Sequence, residues 1–184
     1  GSSAQGLGHG LGSAPDFIIE KKRSGTASWL IYHKSMGSNG SYPNFINLDT
    51  TAAANNGDAA VWSAAPTSSE INVGDDGSIN ENTETYVAYC FKEIQGYSKF
   101  GSYTGNGNSD GTFVYTGFKP AFVMAKRTDA AKNWYMADSA RSPTNVNKAH
   151  IVANSNDAED TSGDGDDSYF DIVSNGFKLR QDFS

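Results

Sequence analysis

The chain has 184 residues, of which 37% are hydrophobic and 12% aromatic, and its formal net charge is −7. This length suffices for one large β domain or two small ones, and the aromatic share argues against disorder. The negative charge disfavours nucleic acid and anionic membranes as partners. No apolar run approaches the roughly 20 residues that a membrane-spanning helix needs, and a single cysteine, Cys90, excludes an internal disulfide.

In chain order, residues 1–14 are rich in Gly and Ser and are predicted to be a lead-in or linker. Beyond them, short apolar or alternating runs between turn signals predict strands. In the first half of the chain these strands are 17–22, 29–33, 44–48, 70–73 and 85–91.

The second half shows the same spacing of strands and turns. A hairpin is predicted from strands 97–103 and 112–116 around a Gly- and Asn-rich loop. Further strands are predicted at 122–127, 134–138, 150–152, 169–173 and 177–179. The last two bracket Asn175-Gly176, and Asn-Gly between apolar runs is a strong hairpin signal.

An internal repeat links the two halves. The segment that begins at Pro15 recurs from Pro120, at an offset of 105 residues. The same offset relates Gly12 to Gly117, Trp29 to Trp134, Ile46 to Ile151 and Ala53 to Ala158. A repeat of this length exceeds a solenoid unit and approaches a small domain. We therefore predict a first β module at 15–96 and a second at 97–184. The two modules are expected to pack together, and one sandwich domain built from both is the alternative.

The predicted fold class is all-β, an antiparallel β-sandwich or jelly roll built from two related modules. No segment keeps helical periodicity for ten residues, and strands recur about every ten residues. The first module reaches strand 85–91, which has no equivalent in the second. We therefore expect the chain to be a window from a longer protein, or to be completed by a neighbour, because an open edge promotes strand exchange and oligomerisation.

Several sequence segments resemble those of a known family; they lie at 8–15, 86–91, 97–107, 113–120 and 174–180. Together they resemble a domain of unknown function that is common in tail-fibre-like and other structural proteins of marine bacteriophages, notably phages of cyanobacteria. The resemblance implies a concanavalin-A-like sandwich in a virion appendage that is assembled in the host cytoplasm and acts outside the cell. It also implies a homo-oligomer, by analogy with fibres a trimer, in contact with other virion proteins. It supplies no catalytic residues.

The residues themselves give little support for catalysis. Glycoside hydrolysis needs two carboxylates that face each other across a cleft. Glu20 is a strand acid, but its counterpart in the second module is Ala125, and Asp138 aligns with His33. The three histidines, His9, His33 and His150, are dispersed, so turn or surface positions are expected for them. We predict that the chain is not an enzyme.

One acidic loop is a candidate metal site. Residues 157–167 contain six acids among eleven residues, and oxygen ligands on a Gly-containing loop suit Ca²⁺. The candidate ligands are Asp160, Asp164, Asp166 and Asp167. The loop does not follow the EF-hand spacing, so a solvated acidic loop is the favoured interpretation. No other cofactor is predicted.

Aromatic residues near polar turns are the candidate ligand-binding groups, because sugar rings stack on exposed aromatic faces and amides bind hydroxyls. The candidates are Trp62, Tyr42, Tyr103, Tyr115, Asn106 and Asn108. Trp29 and Trp134 occupy one repeated position, so a core role is expected for both.

These observations predict a non-enzymatic virion appendage domain with host-surface glycan or receptor binding. Weak single sites would then act together in an oligomer through avidity. Two alternatives remain: a purely structural or decorating subunit of a virion or extracellular filament, and a glycan depolymerase.

Overall fold

The computed structural model describes residues 3–161 and 170–180, and their regular structure is almost entirely β-strand. The strands are β1 (Gln5–Gly8), β2 (Phe17–Lys22), β3 (Leu30–His33), β4 (Ser38–Asn39), β5 (Tyr42–Pro43), β6 (Phe45–Asn47), β7 (Trp62–Ala64), β8 (Glu70–Val73), β9 (Tyr86–Phe91), β10 (Phe113–Tyr115), β11 (Phe122–Lys126), β12 (Trp134–Asp138), β13 (His150–Val152), β14 (Phe170–Val173) and β15 (Gly176–Leu179). One short helix, α1 (Gly77–Asn80), occurs in the described ranges. All the strand pairs are antiparallel, so the predicted all-β class is confirmed.

The strand prediction differs from the structure in several places; β4, β5 and β7 were not predicted. No strand forms at 97–103; a tight turn instead pairs Ile94 with Ser98, with the Ile94 N–H 3.2 Å from the Ser98 carbonyl oxygen. Alternating side chains do not make a strand without a neighbour for the backbone ladder. Conversely, β1 forms within the predicted lead-in because it pairs with β8 along its whole length.

The described residues fall into two compact units, each with its own core. Unit 1 extends to Glu93 and includes Thr128–Lys132; unit 2 comprises Ile94–Arg127 and the residues from Asn133 onward.

Unit 1 is a two-layered sandwich. One sheet has the strand order β6-β3-β2-β9, and the other has the order β1-β8-β7. Both sheets contribute to one buried core, which consists of Ile18, Leu30, Val61, Trp62, Ile71, Val73 and Ile79. Burying these side chains against each other is the main favourable term in the stability of such a sandwich.

Unit 2 repeats this arrangement with fewer strands in its described residues. Its sheets have the orders β11-β12-β13 and β10-β15-β14. Val123 and Ala137 from the first sheet pack against Phe170, Phe177 and Leu179 from the second. Each unit is therefore a small β-sandwich.

The 105-residue repeat is a repeat of backbone pairing. Phe17 pairs with His33 in unit 1, and Phe122 pairs with Asp138 in unit 2. The third strands also agree, because Leu30 pairs with Asn47 and Tyr135 with Val152. Every one of these residues is related to its counterpart by the same offset, so both modules use one register.

The repeated tryptophans make equivalent hydrogen bonds. The Trp29 N–H donates to Asp49 Oδ1 at 3.3 Å, and the Trp134 N–H donates to Asn154 Oδ1 at 2.7 Å. Trp134 is buried, as predicted. Trp29 is only half-buried, and the Lys21 ammonium lies 5.8 Å from its ring centroid, within the range of a cation–π contact.

Nowhere in the described ranges does a helix reach the length and apolarity that crossing a membrane requires.

Candidate functional site

The most exposed aromatic pair on a strand lies on β10 of unit 2. Phe113 is 46% exposed and Tyr115 is 64% exposed, whereas Val114 between them packs against the core. Successive side chains of a strand point to opposite faces of the sheet. Phe113 and Tyr115 therefore share the outer face of the β10-β15-β14 sheet.

Strand β15 places charged groups beside these rings. Lys178 lies directly opposite Phe113 in the ladder, and its ammonium forms an ion pair with Asp110. The Lys178 hydrogen bond lowers the pKa of Asp110, so this carboxylate is charged at neutral pH. We call Phe113, Tyr115, Asp110 and Lys178 the aromatic face.

A glycine makes room on this surface. Gly176 lies opposite Tyr115 in the ladder. A Cβ atom at Gly176 would lie 2.1 Å from the Val114 carbonyl oxygen and 3.0 Å from the Phe113 ring. The missing side chain thus lets the Phe113 ring lie close to β15, as expected where a glycine in a strand permits a close approach.

The predicted binding residues Asn106 and Asn108 shape the loop before β10. Asn106 Nδ2 donates to the Asp110 carbonyl at 2.9 Å, and Asn106 Oδ1 accepts from the Asn108 N–H at 3.2 Å. Asn108 Oδ1 accepts from the Asp110 N–H at 2.8 Å. Both side chains therefore position Asp110, and their amide oxygens are already hydrogen-bonded inside the loop.

The predicted Tyr103 lies in unit 2 but contacts the core. Its ring meets Phe177 edge-on, with 6.4 Å between the centroids, and burial raises the pKa of the Tyr103 hydroxyl. Phe177 is a core residue next to Lys178 in β15, so it faces the opposite side of the sheet from the aromatic face. The structure does not place Tyr103 on that face.

The two candidates in unit 1 have different surroundings. Trp62 is 1% exposed and packs edge-to-face against Tyr32, with 6.1 Å between the centroids. The prediction that Trp62 stacks on a ligand is wrong, because a side chain inside the sandwich core offers no face to a ligand. Tyr42 is 39% exposed on β5.

The predicted metal site is represented in the described residues by Asp160 alone. Its backbone pairs with His150 through two hydrogen bonds of 3.1 Å. Asp164, Asp166 and Asp167 lie outside the described residues. Within residues 3–161 and 170–180, no group of three or more His, Cys, Asp or Glu side chains is arranged to hold a metal ion.

An open depression of about 430 Å³ lies beside Asp160 in unit 2. His150 lines it and is only 4% exposed, so the surface position expected for this histidine is wrong. The Tyr135 ring contacts the His150 ring edge-on, with 5.5 Å between the centroids. The acids Asp157 and Glu159 also line the depression, which gives it an acidic rim.

Three members of the aromatic face, Phe113, Asp110 and Lys178, were not among the residues predicted from the sequence. Phe113 and Lys178 belong to strands that were predicted almost correctly, but their side chains were not assigned to a face. The available signal was the order Phe113-Val114-Tyr115, in which two aromatic residues alternate with one apolar residue. This pattern puts both rings on one side of any strand.

Over residues 1–184 the chain matches the protein family described as Domain of unknown function (DUF7483). The chain belongs to this family. No curated protein matches this DUF7483 chain, and no solved structure matches it. The function of the DUF7483 chain must therefore be argued from its own surface.

Proposed function

We propose that this DUF7483 chain is a non-enzymatic module of a virion appendage that binds host-surface glycans on the aromatic face of unit 2. The observation that carries the proposal is the exposure of Phe113 and Tyr115 side by side on one strand. The phage setting rests on the sequence phrases that resemble tail-fibre-like proteins.

Exposed aromatic rings next to charged groups suit a sugar. A ring face covers the apolar C–H side of a pyranose, and carboxylate and ammonium groups exchange hydrogen bonds with hydroxyls. The aromatic face combines both kinds of group, since Asp110 and Lys178 lie beside the rings. The Asp110 backbone is held by the side-chain amides of Asn106 and Asn108, and the Asp110 carboxylate is paired with the Lys178 ammonium.

The position of Glu20 argues against this residue as a catalytic acid. Its side chain is 1% exposed in the core of unit 1. A carboxyl group at this depth does not reach a substrate. A flat face of two rings gives modest affinity for one sugar, so the proposed module works through several copies on one appendage.

We expect Tyr115→Ala and Phe113→Ala each to lower glycan binding about tenfold, because an aromatic contact of about 1 kcal/mol or more is lost. The measurement is binding of a multivalent, bead-coupled form of the chain to a glycan array, followed by titration of the best glycan. Tyr42→Ala is the matched control, since Tyr42 is also exposed but lies in unit 1.

Equal loss of binding in the Tyr42 control would show that the aromatic face is not the site. Binding that survives both unit 2 substitutions at full strength would contradict the proposal as well. If the wild-type chain binds no glycan on the array, the alternative of a purely structural or decorating subunit replaces it.

A further inference from the structure

The outer surface of the β10-β15-β14 sheet continues beyond the aromatic face onto β14. Lys178 of β15 lies opposite Phe113 of β10 on one side and opposite Asp171 of β14 on the other. Residues directly opposite each other in antiparallel strands share one face of the sheet. Asp171 therefore lies on the same surface as Phe113 and Lys178. Arg180, just beyond the end of β15, pairs with Asp171 and so belongs to this surface as well.

The Arg180 guanidinium is committed to Asp171. Its Nε and Nη2 atoms both bond to Asp171 Oδ2. The Asp171 side chain is 9% exposed, and its Oδ1 atom has no hydrogen-bond partner among the described residues. A buried carboxylate that loses its cation is left without charge compensation, which is strongly destabilising. A ligand anion therefore does not draw Arg180 away from Asp171.

Lys178 is the second cation of this surface, and Asp110 holds it. The Lys178 ammonium bonds to Asp110 Oδ1, and the same oxygen lies 3.7 Å from Arg180 Nη1. Unlike Asp171, the Asp110 side chain is 77% exposed. Ion pairs that are open to solvent contribute little to stability. The Asp110–Lys178 pair is thus the one that a charged ligand would have to open.

The formal charges of these four side chains balance. Lys178 and Arg180 carry two positive charges, and Asp110 and Asp171 carry two negative ones. Because Asp110 is part of the same chain, its carboxylate competes for Lys178 at a high effective concentration. An anionic ligand must displace this tethered carboxylate, and the net charge of −7 on the whole chain also opposes its approach.

An uncharged sugar needs no such exchange. A hydroxyl group both donates and accepts hydrogen bonds. It therefore donates to the Asp110 carboxylate and accepts from the Lys178 ammonium without separating the two. The apolar face of the sugar ring then lies on the neighbouring rings of Phe113 and Tyr115.

We propose that Asp110 makes the aromatic face selective for uncharged sugars, because it occupies the Lys178 ammonium that a carboxylate or sulfate group of a glycan would otherwise bind. This selectivity rests on the glycan-binding function proposed above and specifies the class of glycan that the same site takes. Asp110 is thus a specificity-determining residue, and its removal makes a cation available to acidic sugars.

Methyl β-glucoside and methyl β-glucuronide test the selectivity, because they share one ring and differ in charge at a single carbon. Each sugar is titrated into the isotope-labelled full chain, and binding is followed through the amide chemical shifts of residues 110–115 and 176–180. We expect the wild type to bind the glucoside about fivefold more tightly than the glucuronide, the factor that corresponds to one solvent-exposed ion pair.

Asp110→Asn is the variant that tests the role of Asp110. Asparagine has nearly the same shape, and the loop hydrogen bonds of Asn106 and Asn108 use the Asp110 backbone, so the loop should be preserved. We expect Asp110→Asn to bind the glucuronide about fivefold more tightly than the wild type does, and this gain should disappear in about 1 M salt. Adding Lys178→Gln to Asp110→Asn should also remove the gain, because Lys178 is the released cation.

Asp75→Asn is the matched control. It makes the same change in net charge at an exposed position of unit 1, so glucuronide binding should stay at the wild-type level. An equal gain in this control would mean that the net charge of the chain, and not Asp110, sets the selectivity.

Three further results would overturn the inference. The first is wild-type binding of the glucuronide that equals or exceeds binding of the glucoside, and the second is the absence of a gain in Asp110→Asn. The third is a gain that persists without Lys178. A failure of the glycan-binding function itself looks different, because the wild type then responds to neither sugar. The inference is decided even then, since Asp110→Asn either gains glucuronide binding at Lys178 or does not.

Discussion

Replacing Glu20 with methionine should stabilise unit 1 against unfolding by several kcal/mol at pH 8, and by much less at pH 4. Glu20 lies on the core side of β2, 1% exposed, opposite Leu30 and Ala88 in the neighbouring strands. Its Oε2 atom has no hydrogen-bond partner within the described residues. Burial raises the pKa of the Glu20 carboxyl to about 8, because an ionised carboxylate loses its hydration there.

The sign of the pH dependence follows from this raised pKa. Below the ordinary value of 4.5, Glu20 is protonated in both the folded and the unfolded chain, and its contribution to stability is complete. Between pH 4.5 and about 8, the unfolded chain releases the proton while the folded chain keeps it. Stability therefore falls as pH rises through this window, by up to about 1.4 kcal/mol per pH unit, and the fall ends near pH 8.

Denaturant unfolding of the wild type and Glu20→Met, followed from pH 4 to pH 9, measures this effect. Other groups titrate in both proteins, so the difference between the two curves isolates Glu20. The difference should grow with pH to about 5 kcal/mol, since about 3.5 pH units separate the two pKa values. A difference that stays constant across the window would show that Glu20 ionises normally in the fold.

Glu20→Gln is the matched control. Glutamine carries no charge, so its unfolding curve should lack the same pH-dependent fall. Its amide still needs hydrogen-bond partners in the core, which lowers the stability of this variant relative to Glu20→Met at every pH. In unit 2 the position equivalent to Glu20 is occupied by an apolar residue, Ala125.

Most strands and the equivalence of the two modules were accessible from the sequence, because alternation and the 105-residue offset are visible in the residues themselves. Alternation at 17–22 and the offset from Pro15 to Pro120 specify which side chains share a face, and the two modules then adopt one register. Strand 97–103 was mispredicted because its alternation has no neighbouring ladder to join. Whether a run of residues forms a strand depends on a neighbouring strand that pairs with it, and the sequence of the run alone does not show whether such a neighbour exists.

The aromatic site was less accessible for the same reason. Trp62 and Tyr115 both lie near polar turns, yet one is buried and the other is 64% exposed. A polar turn indicates that the chain reverses near the surface. It does not indicate which face of the adjoining strand packs against the second sheet. That face is decided by how β7 and β8 lie over β2 and β3, which is long-range information.

Trp62→Ala should lower the free energy of unfolding of unit 1 by about 3–5 kcal/mol, the usual cost of emptying a buried tryptophan site. The loss should appear in chemical denaturation as an earlier midpoint. Tyr42→Ala should cost about 1 kcal/mol or less, because Tyr42 is 39% exposed and leaves no closed cavity. Both residues were predicted from the sequence to bind a ligand, so comparing the two variants shows which of them is a core residue and which is a surface residue.

Trp62→Phe separates the contribution of the aromatic ring from that of the indole N–H. The Trp62 Nε1 atom is buried and has no hydrogen-bond partner among the residues that the structure describes. Phenylalanine removes this unsatisfied donor while keeping an aromatic ring against Tyr32, so it should cost clearly less than alanine. If Trp62→Ala left the midpoint unchanged and abolished glycan binding instead, Trp62 would be a ligand contact and the core assignment of unit 1 would fail.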